Sequence, residues 1–110
     1  MIRHYLLVAA SLLALLGTSA CFRHDNRVIH VNVPQMTSPE CYTLIQNKLK
    51  EVEGITSSNP NFEDHTIAVA YNALKLGIKN VEFTIASAGF DANDTPASAE
   101  ARAKLPEGCR

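Results

Sequence analysis

The residues of this chain whose types could do chemistry are its three cysteines, Cys21, Cys41 and Cys109. Cys21 stands close to the start of the chain, whereas Cys41 and Cys109 lie in its middle and at its end. In an oxidising compartment the latter two can form a disulfide, and the same two sulfurs can bind a soft metal ion. The sequence therefore offers either a covalent link or a metal site, and which compartment holds the chain becomes the first question.

The first twenty residues predict an export signal. Arg3 and His4 give a basic start, and residues 5–16 form an apolar run. About a dozen residues suit the h-region of a signal peptide and fall short of the roughly 20 that span a bilayer. We therefore predict a signal peptide over residues 1–20, followed by a tether over residues 21–26, in a protein of the periplasm or cell envelope.

The processing site leaves two alternatives open for Cys21. Residues 17–20 read Gly-Thr-Ser-Ala, which suits ordinary signal peptidase. The same stretch with Cys21 resembles a bacterial lipobox, although Thr18 stands where leucine is usual. Cys21 is accordingly either lipidated, which would be the chain's one link to a membrane, or a free cysteine at a plain cleavage site.

Charge and length limit the remaining functions. Without Arg3, residues 21–110 carry nine Lys and Arg against eleven Asp and Glu, a net charge of about −2. This part of the chain has no basic patch of the kind that binds nucleic acid. Ninety residues, 110 minus 20, suffice for a single domain whose core is small enough to benefit from a covalent or metal staple.

The first strand and helix are predicted on either side of a short loop. Ile29, Val31 and Val33 alternate with polar residues, as in a half-buried strand. Thr37 and Glu40 then fit a capping box that begins a helix, with a proline in its first turn. Apolar residues at helical spacing follow up to Gly54, which predicts a helix of about fourteen residues; they are Cys41, Ile45, Leu49 and Val52.

The rest of the chain completes an alternating order of elements. Residues 55–61 are extended, frayed and turn-like, residues 66–71 alternate as a strand, and residues 78–88 carry a second helical stripe. Residues 90–92 could add a short closing strand. This β-α-β-β-α-β order over residues 27–93 predicts an α+β, ferredoxin-like fold with two helices on one face of an antiparallel sheet. Residues 94–110 form a C-terminal tail whose alanine-rich part could form one or two helical turns.

Residues 36–41, between the first strand and the first helix, read Met-Thr-Ser-Pro-Glu-Cys. They resemble the Met-Thr-Cys-x-x-Cys loop of the heavy-metal-associated domain family, which includes copper chaperones and exported mercury scavengers. Gly54-Ile55 is similar to its Gly-Val pair, and residues 85–92 are similar to its closing Ile-x-x-x-Gly-Tyr-x-Ala segment. The resemblance implies a ferredoxin-like fold and the binding of Cu(I), Hg(II) or Zn(II), without an organic cofactor and without enzyme activity.

The loop departs from the family at Ser38, where the first thiolate ligand would stand. A serine hydroxyl is a hard, weakly acidic group and replaces a soft sulfur poorly. The resemblance therefore carries over to Cys41, and to Met36 as a residue that mostly packs beneath the loop. Cys41 lies in the first helical turn, where N–H groups stabilise a thiolate; alternatively it is only a small apolar residue of the helix stripe.

Cys109 is the residue that could supply the missing sulfur. The tail has about sixteen residues in which to return to the loop, a sufficient length even for a partly helical path. Three outcomes stay open: a metal site shared with Cys41, a structural or redox-switchable disulfide, and no pairing. A reduced pair that holds metal and an oxidised pair that forms a disulfide are compatible.

Two functions follow as hypotheses. The first is an exported protein that binds a soft metal through Cys41 and Cys109, with Met36 as a further candidate ligand, and sequesters the ion or passes it to a membrane transporter. The second is a metal-free adaptor with a structural Cys41–Cys109 disulfide. His24, His30 and His65 are predicted to be exposed polar residues, and Glu40 is predicted to be a capping acid with a weaker claim as an oxygen ligand.

Overall fold

A computed structural model describes residues 25–110 of the chain. The predicted signal peptide over residues 1–20, the candidate lipidation site Cys21 and the tether residue His24 lie outside this range. Within it the strands are β1 (Asn26–Asn32), β2 (Ile55–Asn61) and β3 (Thr66–Asn72), and the helices are α1 (Pro39–Lys50), α2 (Ile78–Ser87) and α3 (Ala99–Ala103). A short 3-10 turn, Glu107–Cys109, follows. None of the helices in residues 25–110 is long and apolar enough to cross a membrane.

The three strands of residues 25–110 form one antiparallel sheet with the order β1-β3-β2. Val31 of β1 lies opposite Ile67 of β3, and both are completely buried, so the two strands present the same face to the core. The buried side chains of α1 and α2 belong to the same core, which means that both helices cover this face. The predicted ferredoxin-like arrangement is confirmed.

The short closing strand expected at residues 90–92 does not form. Phe90 and Ala92 are completely buried, but the segment contacts β1 through a single backbone hydrogen bond, from Asn93 N to Asn32 O at 2.9 Å. Asn93 adopts a positive φ of 51°, and Ala92 pairs instead with Thr95. The tight turn ends the extended stretch before a ladder can develop, and it directs the tail back across the helices.

The second strand is more regular than its sequence suggested. Residues 55–61, expected to be extended and frayed, form a seven-residue strand whose register against β3 shifts once, between Ile55 and Ser57. Within the described residues β2 lies at an edge of the sheet. Pro60, which has no N–H to donate, is tolerated there because an edge strand pairs on one side only.

The core confirms most of the predicted apolar positions. Cys41, Ile45 and Leu49 of α1 are buried, as are Val81 and Ile85 of α2. Two aromatic residues, Tyr71 and Phe90, are also buried in this core. Ile78 is the exception: it was expected to begin the stripe of α2 but is 48 % exposed at the first position of that helix.

Candidate metal centre

Cys41 lies in the first turn of α1, at the end of the sheet where β1 passes into the loop. The cap of this helix is Ser38, not the predicted Thr37, because Pro39 occupies the first helical position and the residue before a proline is held extended. The Ser38 hydroxyl accepts a 3.4 Å hydrogen bond from the Cys41 N–H and lies 3.2 Å from the Cys41 sulfur. Ser38 therefore retains a place beside the sulfur, as a hydrogen-bonding group.

Cys109 reaches Cys41 and forms a disulfide with it. The S–S distance is 2.06 Å, and the two Cα atoms are 5.6 Å apart across 68 residues of sequence. Both cysteines are buried, Cys41 completely and Cys109 with 2 % exposure. Of the three outcomes left open by the sequence, the structure contains the disulfide, so the tail does return to the loop.

The tail follows a specific path over the end of α2. The Ser98 N–H donates to Ala86 O at 3.0 Å, and Ser98 caps the short helix α3. Gly89, with φ of +103°, lets the backbone of Arg102 approach so closely that an added Cβ would lie 2.9 Å from its nitrogen. Farther along, Leu105 is buried. The tail is thus held to the domain at Ser98, near Gly89 and at Leu105 before it reaches Cys109.

The last turn of the tail lies directly on the site loop. The Thr37 hydroxyl donates to Gly108 O at 3.0 Å, and the same carbonyl oxygen lies 3.8 Å from the Cys41 sulfur. Thr37 was predicted to form a capping box with Glu40, but its hydroxyl binds the tail instead. Glu40 is exposed in the first turn of α1. The loop and the tail are joined by hydrogen bonds as well as by the disulfide.

Met36 lies beneath the loop and is held by a histidine that the sequence did not mark. Met36 is completely buried, as the predicted packing role requires. Its carbonyl oxygen lies 3.0 Å from His65 Nδ1, and His65 O accepts from Val33 N at 2.7 Å. His65 was predicted to be an exposed polar residue, but it is half-buried and has a positive φ of 54°. Through these two contacts it holds the loop at both Val33 and Met36.

Asp91 joins the site loop to the start of the tail. Its carboxylate accepts from Gln35 Nε2 at 2.5 Å and from Ala97 N at 2.7 Å, while its own N–H donates to Gln35 Oε1. The hydrogen bond from the Ala97 N–H, followed by that from Gln35, lowers the pKa of Asp91 below its ordinary value of 3.8. An ionised Asp91 is therefore the form that holds this junction together.

Glu82 is a buried carboxylate next to the same junction, with only 3 % exposure. Lys79 Nζ lies 2.9 Å from one of its oxygens, and Asn93 Nδ2 donates to the other at 2.9 Å. The Lys79 hydrogen bond, despite opposition from burial, lowers the pKa of Glu82 below its ordinary value of 4.5. Asn93 also accepts from Asn32 N, so the network ties α2 to the end of β1.

The other candidate ligands do not gather at the cysteines. His30 is exposed on the open face of the sheet. In the part of the chain from residue 25 onward, no group of three or more His, Cys, Asp and Glu side chains could hold a metal ion. Of the candidate ligands, the structure brings the sulfurs of Cys41 and Cys109 together, while Met36 is buried in the core.

Sequence reasoning found the cysteines and Met36 but missed Gln35, His65 and Asp91. Their roles depend on hydrogen bonds between residues that meet only after folding, such as Gln35 with Asp91 and His65 with Met36. Asp91 offered the clearest available hint, since it stands in a segment rich in turn-forming residues directly before the tail.

Comparison with known proteins places this architecture among metal-binding domains. The family model of the heavy-metal-associated domain matches residues 30–91. The copper chaperone CopZ of Staphylococcus aureus is 26% identical over 61 residues, covering 56% of this chain and 90% of CopZ.

Two solved structures share the fold. Oxidised MerP from Ralstonia metallidurans CH34 superposes with a TM-score of 0.58 at 22% identity, covering 62% of this chain and 94% of MerP. The mercury-bound form of MerP, a periplasmic protein of the bacterial mercury detoxification system, superposes with a TM-score of 0.53 at 24% identity, covering 62% and 94% of the two chains.

Proposed function

The chain belongs to the heavy-metal-associated domain family, and we propose that it is a non-enzymatic protein of the cell envelope that binds a soft or borderline metal ion through reduced Cys41 and Cys109. The ion is Cu(I), Hg(II) or Zn(II). The observation that carries the proposal is the meeting of these two sulfurs at the site loop, from positions 68 residues apart. A tail cysteine thereby stands in for the loop cysteine that Ser38 replaces.

The chemistry of the two sulfurs suits this cargo. Thiolates are soft ligands and favour Cu(I), zinc and other thiophilic ions over hard cations. A metal–sulfur bond is roughly 2.3 Å long, so two sulfurs around one ion lie farther apart than in a disulfide. The ion must therefore enter the reduced pair, after the tail end has moved slightly away from α1. Cys109 belongs to a three-residue turn, and the Thr37 hydroxyl holds this turn on the loop through a hydrogen bond to Gly108 O, so the movement has to stretch or break that bond.

Delivery of the ion is the second part of the proposal. The predicted leader over residues 1–20 and the likeness to MerP, a periplasmic protein, favour an envelope location, with lipidation of Cys21 as the possible anchor. A membrane metal transporter is the partner that would exchange ligands with the site. Because Cys109 lies in a three-residue turn between the exposed residues Gly108 and Arg110, an incoming thiolate could replace it while Cys41 still holds the metal.

A competition titration tests the metal site. The full chain, reduced and anaerobic, is titrated with Cu(I) against a chelator and compared with Cys41→Ser and Cys109→Ser. Removing a direct ligand should cost at least about the hundredfold that loss of an outer-shell partner can cost. Cys21→Ser serves as the matched control and should bind like the parent, as should Met36→Leu if Met36 only packs. Equal affinity in the parent and either Cys41 or Cys109 variant would refute the proposal.

The observed disulfide favours one further candidate, the metal-free adaptor. In that case the fold presents a docking surface and the Cys41–Cys109 bond only stabilises it. Counting reactive thiols in protein isolated from cells without reductant separates the two functions when combined with the titration. An adaptor would be oxidised in the cell and, after reduction, would bind Cu(I) no better than its cysteine variants.

A further inference from the structure

The two ends of the disulfide lie in different surroundings. Cys41 is completely buried in the first turn of the twelve-residue helix α1. Cys109 is also buried, with 2 % exposure, but it lies in a three-residue turn between the exposed residues Gly108 and Arg110. An external thiol can therefore reach the Cys109 sulfur by displacing this short turn, whereas reaching Cys41 requires the opening of the twelve-residue helix α1.

The two sulfurs also differ as leaving groups. Cleavage of a disulfide by a thiolate places negative charge on the sulfur that leaves. The Cys41 sulfur lies 3.2 Å from the Ser38 hydroxyl, which must be the donor in the oxidised chain because a disulfide sulfur carries no hydrogen. The positive end of the α1 dipole acts in the same direction. Among the described residues, no hydrogen-bond donor reaches the Cys109 sulfur.

We propose that Cys41 and Cys109 form a directional thiol–disulfide couple, which a dithiol reductant opens by attack on Cys109 with Cys41 as the leaving group. The incoming thiolate bonds to the Cys109 sulfur, and the electron pair of the broken S–S bond goes to Cys41. The second thiolate of the reductant then attacks the reductant's first sulfur, which is bonded to Cys109 in the mixed disulfide, and releases the Cys109 thiolate. The reductant becomes a disulfide, and the pair gains two electrons and two protons.

This direction assigns Ser38 a role in the chemistry. Its hydroxyl stabilises the departing Cys41 thiolate, so Ser38 is a positioning residue of the exchange step. If the proposed metal binding holds, reduction also frees the sulfur in the loop first and leaves the tail sulfur to complete the site. That last consequence rests on the proposed function, whereas the exchange step does not require a metal.

Trapping of the mixed disulfide tests the direction of attack. The oxidised full chain carrying Cys21→Ser is mixed with glutathione, alkylated rapidly with N-ethylmaleimide and mapped by mass spectrometry. Glutathione is expected on Cys109, with the maleimide on Cys41. Glutathione mainly on Cys41, or no adduct under conditions that reduce the urea-unfolded chain, would overturn the proposal. A chain that reacts as expected but binds no metal would refute only the proposed function.

A matched pair of serine variants tests the role of Ser38. Ser38→Ala should slow the cleavage by glutathione roughly five-fold, the effect of one hydrogen bond. Ser98→Ala removes the equivalent cap from α3, at a distance from the disulfide, and should not slow it. Equal rates in the parent and Ser38→Ala, or equal slowing in both variants, would contradict the assignment. Thermal unfolding of the oxidised variants shows whether a rate change reflects lost folding instead.

Discussion

At the scale of single residues, the site consists of Cys41, Ser38 three positions before it, and Cys109 from the tail. Ser38 caps α1 and contacts the Cys41 sulfur, while Cys109 supplies the second sulfur. The serine at which the loop departs from the family therefore lies beside a disulfide that a tail cysteine forms. The placement of Cys41 in the first turn of a helix could be predicted from the sequence. The proximity of Cys109 to Cys41 could not, because sixteen residues of tail permit many paths.

Two carboxylates with lowered pKa values, the buried Glu82 and the half-buried Asp91, should make the stability of the fold sensitive to acid. The pKa of Glu82 is lower in the folded chain than its ordinary value of 4.5. Its ionised form therefore stabilises the fold above about pH 4.5, and that contribution is lost as the pH falls through the folded-state pKa. The pKa of Asp91 is also lowered, from 3.8, so its contribution is likewise lost as the pH falls through its own folded-state pKa.

Glu82→Gln isolates this effect. We expect the variant to be less stable than the parent by about 1–2 kcal/mol at pH 7, since it loses hydrogen bonds to a charged group. The difference should shrink as the pH falls from 4.5 through the lowered folded-state pKa of Glu82, where the parent carboxylate becomes protonated. Urea unfolding at a series of pH values measures it, with the exposed Glu40→Gln as control. A constant difference across the series would contradict the account.

At the scale of elements, the periodic segments could be predicted and the junctions could not. The alternation in β1 and β3 and the stripes of α1 and α2 follow from local burial, and they appear where expected. The closing strand failed because Asn93 adopts a turn conformation, hydrogen-bonded to Asn32 and Glu82. Propensity does not reveal such contacts, since they depend on which side chains meet after folding.

The packing of the tail on Gly89 provides a sharp test at this scale. Gly89→Ala places a Cβ 2.9 Å from Arg102 N and from Leu105 Cδ1, at a φ that disfavours any side chain. We expect a loss of stability of about 1–3 kcal/mol and earlier proteolysis of the tail. Gly108→Ala is the matched control, because nothing lies within 4 Å of its added Cβ. Equal stability of the two variants in urea unfolding would show that the tail is not packed as described.

At the scale of the whole molecule, the tail converts a common domain into one with a covalent closure. The matched regions cover 90% of CopZ and 94% of MerP, but they cover only 56% and 62% of this chain. The tail packs on the domain through α3 and Leu105 and ends at the disulfide. A loop of this length, closed by a disulfide, contributes on the order of 4 kcal/mol in the chain-entropy model. Reduction of the disulfide therefore lowers the free energy of unfolding and leaves two thiols that can bind a metal.

The most direct test of the central claim is X-ray absorption spectroscopy of the reduced chain loaded with one equivalent of Cu(I). Met36→Leu protein is used, because the change conserves volume and removes the buried thioether from the count. The account predicts two sulfur neighbours per copper, falling to one when Cys109→Ser is added. A copper ion with one sulfur and lighter neighbours before that change, or a spectrum that the change leaves unaltered, would contradict it.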